Sequence, residues 1–185
     1  GEVGLDRRAA TDRESQERVF VEMIGIAREL ELPLLLHCRE ATGRLLELLR
    51  REEAGRVGGI FHGFSGSVET ARKLAEMGFI LGIGGVLTYP DARRLPETLR
   101  QLPEELLVLE SDAPDMAPHP HRGEANRPAH LLLVAKALAA LRGWTLEQTL
   151  EITTRNACRV LSLPQQPGNQ EKAFSTRRRE GAEKF

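Results

Sequence analysis

Short apolar runs alternating with longer stretches of helical period constrain this chain more than any other feature, because successive βα units on a parallel sheet are written that way. Five such runs recur: Glu2–Leu5, Leu34–Leu36, Gly59–Phe61, Phe79–Ile83 and Leu106–Leu109. Their Leu, Ile, Val and Gly content suits strands covered on both faces. Between them, Thr11 with Glu14 is spelled as a capping box, opening a helix whose Phe20, Met23, Ile24, Ala27 and Leu30 make one stripe that Pro33 stops. The pattern predicts a second helix over Glu40–Glu53, a third from the N-cap Ser67 to a terminating Gly78, and a shorter one over Pro90–Gln101. After the last run come a helix over Pro128–Leu141, another opened by Thr145 with Gln148, and a final turn through Asn156 to Leu161. All are expected on the outside of the sheet.

With 185 residues, 41% hydrophobic and 29% charged, one globular core is expected, as a domain over 1–164. From Gln165 apolar periodicity stops, and 165–185 read as a disordered tail whose Arg177-Arg178-Arg179 is a solvated charge run. Lys and Arg number 26 against 27 Asp and Glu, so no global field draws in nucleic acid and an anionic substrate must be attracted locally. Cys38 and Cys158 match no zinc or redox spacing, which favours free thiols in a reducing compartment, the cytoplasm. No apolar run reaches the roughly 20 residues that cross a bilayer, and no leader precedes the first motif. The chain opens on Gly1 already inside that motif, as a fragment would.

In four of the five units the apolar run ends in, or contains near its end, a metal-binding side chain: Glu2, His37, His62 and Asp112. The C-terminal ends of parallel strands form the functional face of such folds, so residues far apart in sequence converge there. Imidazole and carboxylate suit zinc, manganese and related ions. Taken singly, each histidine reads as well as a satisfied core or surface imidazole; their shared position points to a cation. Cys38 is not a further ligand, because strand neighbours face opposite sides and Cys38 then faces the helices.

Gly1-Glu2-Val3-Gly4-Leu5-Asp6, Leu32-Pro33-Leu34-Leu35-Leu36-His37-Cys38-Arg39-Glu40-Ala41 and His62-Gly63-Phe64-Ser65-Gly66-Ser67 are three ordered motifs. Gly84-Gly85 with Thr88-Tyr89-Pro90, Leu109-Glu110-Ser111-Asp112-Ala113-Pro114-Asp115-Met116, and His121-Arg122-Gly123 with Asn126-Arg127-Pro128 extend them nearly to Leu163. In these the chain resembles the TatD family of metal-dependent hydrolases. The resemblance implies a TIM-type (β/α)8 barrel of the amidohydrolase kind, incomplete here, with about strands 4 to 8 present. In it Glu2 bridges two divalent ions (Mg, Mn or Zn), His37 and His62 bind one of them, and Asp112 binds the other. The family's first-strand His-x-His is absent. His119-Pro120-His121 has that spelling but lies in a Pro-rich loop where Pro120 blocks ladder pairing, and it is not taken as the replacement.

The activity implied is 3′-5′ deoxyribonuclease hydrolysis of DNA or another phosphodiester by metal-activated water, with Asp112 orienting the water and taking its proton and Glu2 fixing the ion separation. Arg39 and Arg122 are candidate phosphate-binding residues, unless neighbouring acids such as Glu40 and Glu124 engage them. Asp6 and Glu110 either orient a ligand or close a loop. Gly84 and Gly85 admit close backbone approach or a turn, and Asn156 ties backbone together. No membrane and no obligate protein partner is expected. The same barrel and ligand set also serve amide and carboxylic ester hydrolysis, and five strands without the others are expected to be inactive, with open edges.

Overall fold

In a computed structural model of the protein, which describes residues 2–164, five parallel strands form one sheet in the order β1-β2-β3-β4-β5. They are β1 (Glu2–Asp6), β2 (Leu34–Arg39), β3 (Gly59–Phe61), β4 (Phe79–Ile83) and β5 (Leu107–Leu109). The tail expected over 165–185 lies outside the described residues. Every neighbouring pair is parallel, so each connection crosses back over one face of the sheet. β2 runs three residues beyond the expected Leu36, which puts His37 inside the strand rather than after it.

Helix α1 (Arg13–Glu29) is capped by Asp12, whose carboxylate accepts from the Ser15 N–H at 2.9 Å. The expected Thr11 box does not form: the Thr11 carbonyl takes the Gln16 amide at 2.8 Å, and the extended backbone needed at an N-cap falls one residue later. Helix α2 (Thr42–Arg51) starts and stops inside the expected Glu40–Glu53, because Glu40 and Glu53 both have positive φ, 56° and 52°, which no helical residue adopts. Helix α3 (Val68–Glu76) opens on Ser67 and closes before Gly78 at φ 76°, as expected. Beyond β4 a 3₁₀ turn (Gly85–Thr88) precedes α4 (Arg94–Gln101), so the segment at Pro90 is not helical. A 3₁₀ turn (Pro128–His130) leads into α5 (Leu131–Arg142). Helix α6 (Leu146–Val160) carries the expected Thr145–Gln148 capping box and absorbs the separate turn expected through Asn156. Asn156 does tie backbone, donating to the carbonyls of Glu104 at 2.7 Å and Leu107 at 2.9 Å.

Alternation divides the sheet. On the helix-covered face Leu5, Leu34, Leu36, Phe61, Phe79 and Leu81 pack with Phe20, Ile24, Leu45, Leu49, Leu74 and Leu138. Each such side chain fully enclosed contributes about 1.5–3 kcal/mol, so this layer dominates stability. On the opposite face Ile60, Ile80 and Val108 are buried beneath Ala157, Val160 and Leu161. The last turn of α6 therefore packs on the inner face, not outside: that apolar row needs cover, and the end of α6 supplies it. Leu35 on the same face stays 36% exposed. Among the described residues no single helix is long and apolar enough to cross a membrane.

Candidate metal centre

His37 lies on the inner face of β2, His62 follows β3 directly, and Glu110 and Asp112 follow β5. Glu2 opens β1 rather than closing it, yet its exposed side chain reaches the others. Glu2 Oε1 is 3.0 Å from His37 Nδ1 and 3.6 Å from His62 Nε2, and His62 Nε2 is 3.2 Å from Asp112 Oδ1. The four residues singled out from sequence thus meet at one rim. Cys38 faces the other way, packed against the helix-side core with its Sγ 3.6 Å from Thr42 Oγ1, and burial pushes its thiol pKa up.

Each imidazole also has a carboxylate behind it. His37 Nε2 lies 3.3 Å from Asp6 Oδ2, and His62 Nδ1 lies 3.1 Å from Glu110 Oε2. Both carboxylates are anchored by backbone as well: Asp6 Oδ1 accepts from the Arg8 N–H at 2.7 Å and Glu110 Oε1 from the Gly63 N–H at 2.5 Å. Glu110 reaches His62 across Gly82, where an added Cβ would lie 1.9 Å from Glu110 Oε2. Asp6 and Glu110 therefore both orient imidazoles and close loops.

The charges respond to this arrangement. His62 is pushed up to about 9, first by its hydrogen bond to Glu110, against burial, and further by the charges of Glu110, Asp112 and Glu2. Asp112 is raised mainly by burial and also by Glu110 and Glu2, although His62 pulls the other way. A protonated imidazole has no lone pair to offer, so protonation and cation binding exclude each other at His62.

Among the described residues no three His, Cys, Asp or Glu side chains close around one point at metal-ligand geometry. The donors form a chain of pairs instead. Their chemistry fits a cation, and each neighbouring pair is spaced as two ligands of one ion are, since ligands about 2.0–2.2 Å from an ion stand about 3–3.6 Å apart.

Asp112 is presented with φ 56° in a loop that Asn126 braces. Asn126, 5% exposed, donates its amide to the carbonyls of Ser111 and Asp115, and its backbone N–H donates to Pro114 at 2.8 Å. The same loop lies on the 3₁₀ turn after β4, where an added Cβ at Gly85 would be 2.1 Å from the Met116 carbonyl oxygen. Gly85 thus admits the loop backbone, whereas a Cβ at Gly84 would meet Glu110 only at an ordinary contact distance of 3.6 Å. Sequence reading missed Gly82 and Asn126; a glycine inside an otherwise apolar strand was the available signal for the first.

Of the arginines, Arg39 sits at the end of β2 on the face of His37, exposed and outside every ion pair among the described residues. Arg122 is held by Asp91 at 2.9 Å and stacks 4.3 Å over the Tyr89 ring. The acids expected as their partners are engaged elsewhere, Glu40 by Arg8 and Glu124 by His121.

Fold and rim together define a chain of parallel βα units whose strand ends gather imidazoles and carboxylates. The chain belongs to the family of TatD-related DNases, whose model matches residues 1–162. It is 38% identical over 164 residues to YabD of Bacillus subtilis, described as a metal-dependent hydrolase, covering 88% of this chain and 64% of that protein. To YcfH of Escherichia coli, described likewise, it is 37% identical over 164 residues, covering 88% and 62%. The crystal structure of YjjV, a TatD homologue from Escherichia coli, matches with a TM-score of 0.82 at 33% identity over 89% of this chain and 63% of that one. A TatD-family hydrolase from Entamoeba histolytica shares the fold, with a TM-score of 0.78 at 19% identity over 89% and 63%. The fold is accordingly TIM-barrel-like, and the chain spans 62–64% of the length of these curated relatives.

Proposed function

We propose that the chain carries the metal-binding rim of a hydrolase that cleaves phosphodiesters by metal-activated water, acting on DNA from its 3′ end, and that its five strands are the later five of a closed eight-stranded barrel. Glu2, His37, His62 and Asp112 would hold the divalent ions, two in the complete enzyme. The observation that carries this reading is the row of acceptors around each imidazole. His37 and His62 have a carboxylate at both ring nitrogens, an arrangement satisfied only by an extra proton or by a cation. A family matched by relatives described as metal-dependent hydrolases favours the cation.

A divalent ion held there would supply a water of lowered pKa and positive charge to a phosphoryl oxygen. The chain's own groups do the rest. Asp112, its carboxyl raised by burial, is suited to orient that water and take a proton from it. Arg39, on the face of His37 and in no ion pair among the described residues, offers a planar fork to a phosphate.

The open chain of donors favours a second reading, in which these 185 residues bind a cation without turnover. Metal analysis after dialysis against Mn²⁺ or Zn²⁺, with hydrolysis of 3′-labelled DNA and of a carboxylic ester in parallel, separates the two. Nucleotide release abolished by His62→Ala and Asp112→Ala supports the nuclease; bound metal with neither activity supports the second reading; no bound metal overturns both.

A further inference from the structure

Asp6 lies on the side of His37 away from Glu2, and of the two carboxylates it is the anchored one, 23% exposed against 49% for Glu2. Its Oδ1 accepts from the Arg8 N–H at 2.7 Å and its Oδ2 stands 3.3 Å from His37 Nε2. A carboxylate can only accept, so an imidazole nitrogen at that distance is favourable only when it carries hydrogen. The opposite nitrogen, Nδ1, then keeps its lone pair, 3.0 Å from Glu2 Oε1. Two acceptors that close repel each other unless something positive lies between them.

Asp6 is itself held in place from α1. Gln16 Oε1 accepts the Asp6 N–H at 2.8 Å, and Gln16 Nε2 donates to the carbonyls of Asp6 at 2.9 Å and Thr11 at 2.8 Å. The first helix thus pins the end of β1, and β1 pins the ring in β2. The same design recurs at the next strand, where Glu110 divides its oxygens between the Gly63 N–H and His62 Nδ1.

We infer that Asp6 is a positioning residue for the metal centre: it keeps hydrogen on His37 Nε2, so that Nδ1 is the nitrogen offered to a cation shared with Glu2. The inference rests on the metal-site reading above and adds to it which nitrogen binds and which side chain selects it. Asp6→Asn is the informative change, since it keeps shape and leaves only one acceptor. If the substituted amide satisfies the Arg8 N–H with its oxygen, its NH₂ faces Nε2 and drives the ring hydrogen to Nδ1, into the space beside Glu2.

The test is Zn²⁺ titration by calorimetry on the whole chain, with ¹⁵N NMR of its histidines in the zinc-loaded form. Asp12→Ala serves as the control, because it loosens the start of the same helix without touching His37. In the unmodified chain zinc is expected on His37 Nδ1 with Nε2 protonated. Asp6→Asn is expected to weaken zinc binding by about 10–100-fold and to change the His37 pattern, while Asp12→Ala lowers the unfolding midpoint and leaves affinity alone. If Asp6→Asn binds zinc like the unmodified chain, or if Asp12→Ala weakens binding equally, or if zinc sits on Nε2, the inference is overturned and the metal site survives. If the unmodified chain binds no zinc, the metal-site reading falls, and this inference with it.

Discussion

Gly82→Ala tests the inner face of the sheet most sharply. The three nearest atoms to a Cβ built there all belong to Glu110: Oε2 at 1.9 Å, Cδ at 2.5 Å and Oε1 at 3.0 Å. Glu110 has no room to yield in place, because Oε1 takes the Gly63 N–H at 2.5 Å and Oε2 faces His62 Nδ1 at 3.1 Å. It must swing away and give up both contacts. Hydrogen bonds to charged groups are worth about 1.5–3 kcal/mol each, and the displaced carboxylate recovers part of this in water, so a net loss of about 2–3 kcal/mol is expected. Urea unfolding should report it as a lower midpoint at constant slope. The double-mutant cycle with Glu110→Ala isolates the cause: once that side chain is gone, Gly82→Ala should be nearly free, with a coupling of about 2 kcal/mol. Gly25→Ala is the reference, since nothing lies within 4 Å of its Cβ and Ala gains about 1 kcal/mol over Gly in a helix interior. Additive costs at 82 and 110, or a Gly82→Ala protein as stable as its parent, would refute the seating of Glu110 on Gly82.

Asp12→Ala removes the side-chain cap of α1 and should cost about 1 kcal/mol in urea unfolding, whereas Thr11→Ala should cost less because its side chain makes no cap. Asn126→Ala leaves the Ser111 and Asp115 carbonyls without their donor and should cost about 2–4 kcal/mol, with weaker metal binding measured by calorimetry as the Asp112 loop loosens. Glu17 accepts from Arg44 at 2.9 and 2.6 Å, and that guanidinium holds its carboxyl below the usual range. The pair's contribution is therefore present above the ordinary carboxylate pKa and lost as pH falls through the lowered one. Both partners are partly exposed, so Glu17→Gln should flatten the acid side of a pH–stability curve by no more than about 1 kcal/mol.

The strands were legible because each is a short apolar run closed off by polar or glycine-rich sequence, and Gly59–Phe61 and Phe79–Ile83 fall where the pattern puts them. The gathering of His37, His62 and Asp112 was legible for the same reason, since period-two alternation and strand ends are local properties that fix a face and a rim; Glu2 opens its strand instead of closing it and reaches the others only through its side chain. What needed coordinates was the sign of φ at non-glycine residues, as at Glu40, and the choice between near and distant partners. Glu124 sits two residues from Arg122 yet pairs with His121, while Asp91, which holds Arg122, is 31 positions away. The end of α6 was misplaced because an apolar stripe states that a face is buried, not against which layer.

The two loops that follow β4 and β5 are tied to each other, and the ties engage Arg122 but not Arg39. Thr88 donates its hydroxyl to the Gly85 carbonyl at 2.6 Å and accepts the His119 N–H at 2.7 Å, and the Tyr89 hydroxyl donates to Ala117 at 3.1 Å. Arg122 lies over Tyr89 and binds Asp91, so it fastens the second loop to the first from outside, while Asn126 fastens it from within. A phosphate seeking Arg122 would have to displace an existing carboxylate and unstack the guanidinium, both at a cost that Arg39 does not impose. The two arginines therefore differ in place: Arg39 lies outside every ion pair among the described residues, and Arg122 holds in shape the loop that presents Asp112.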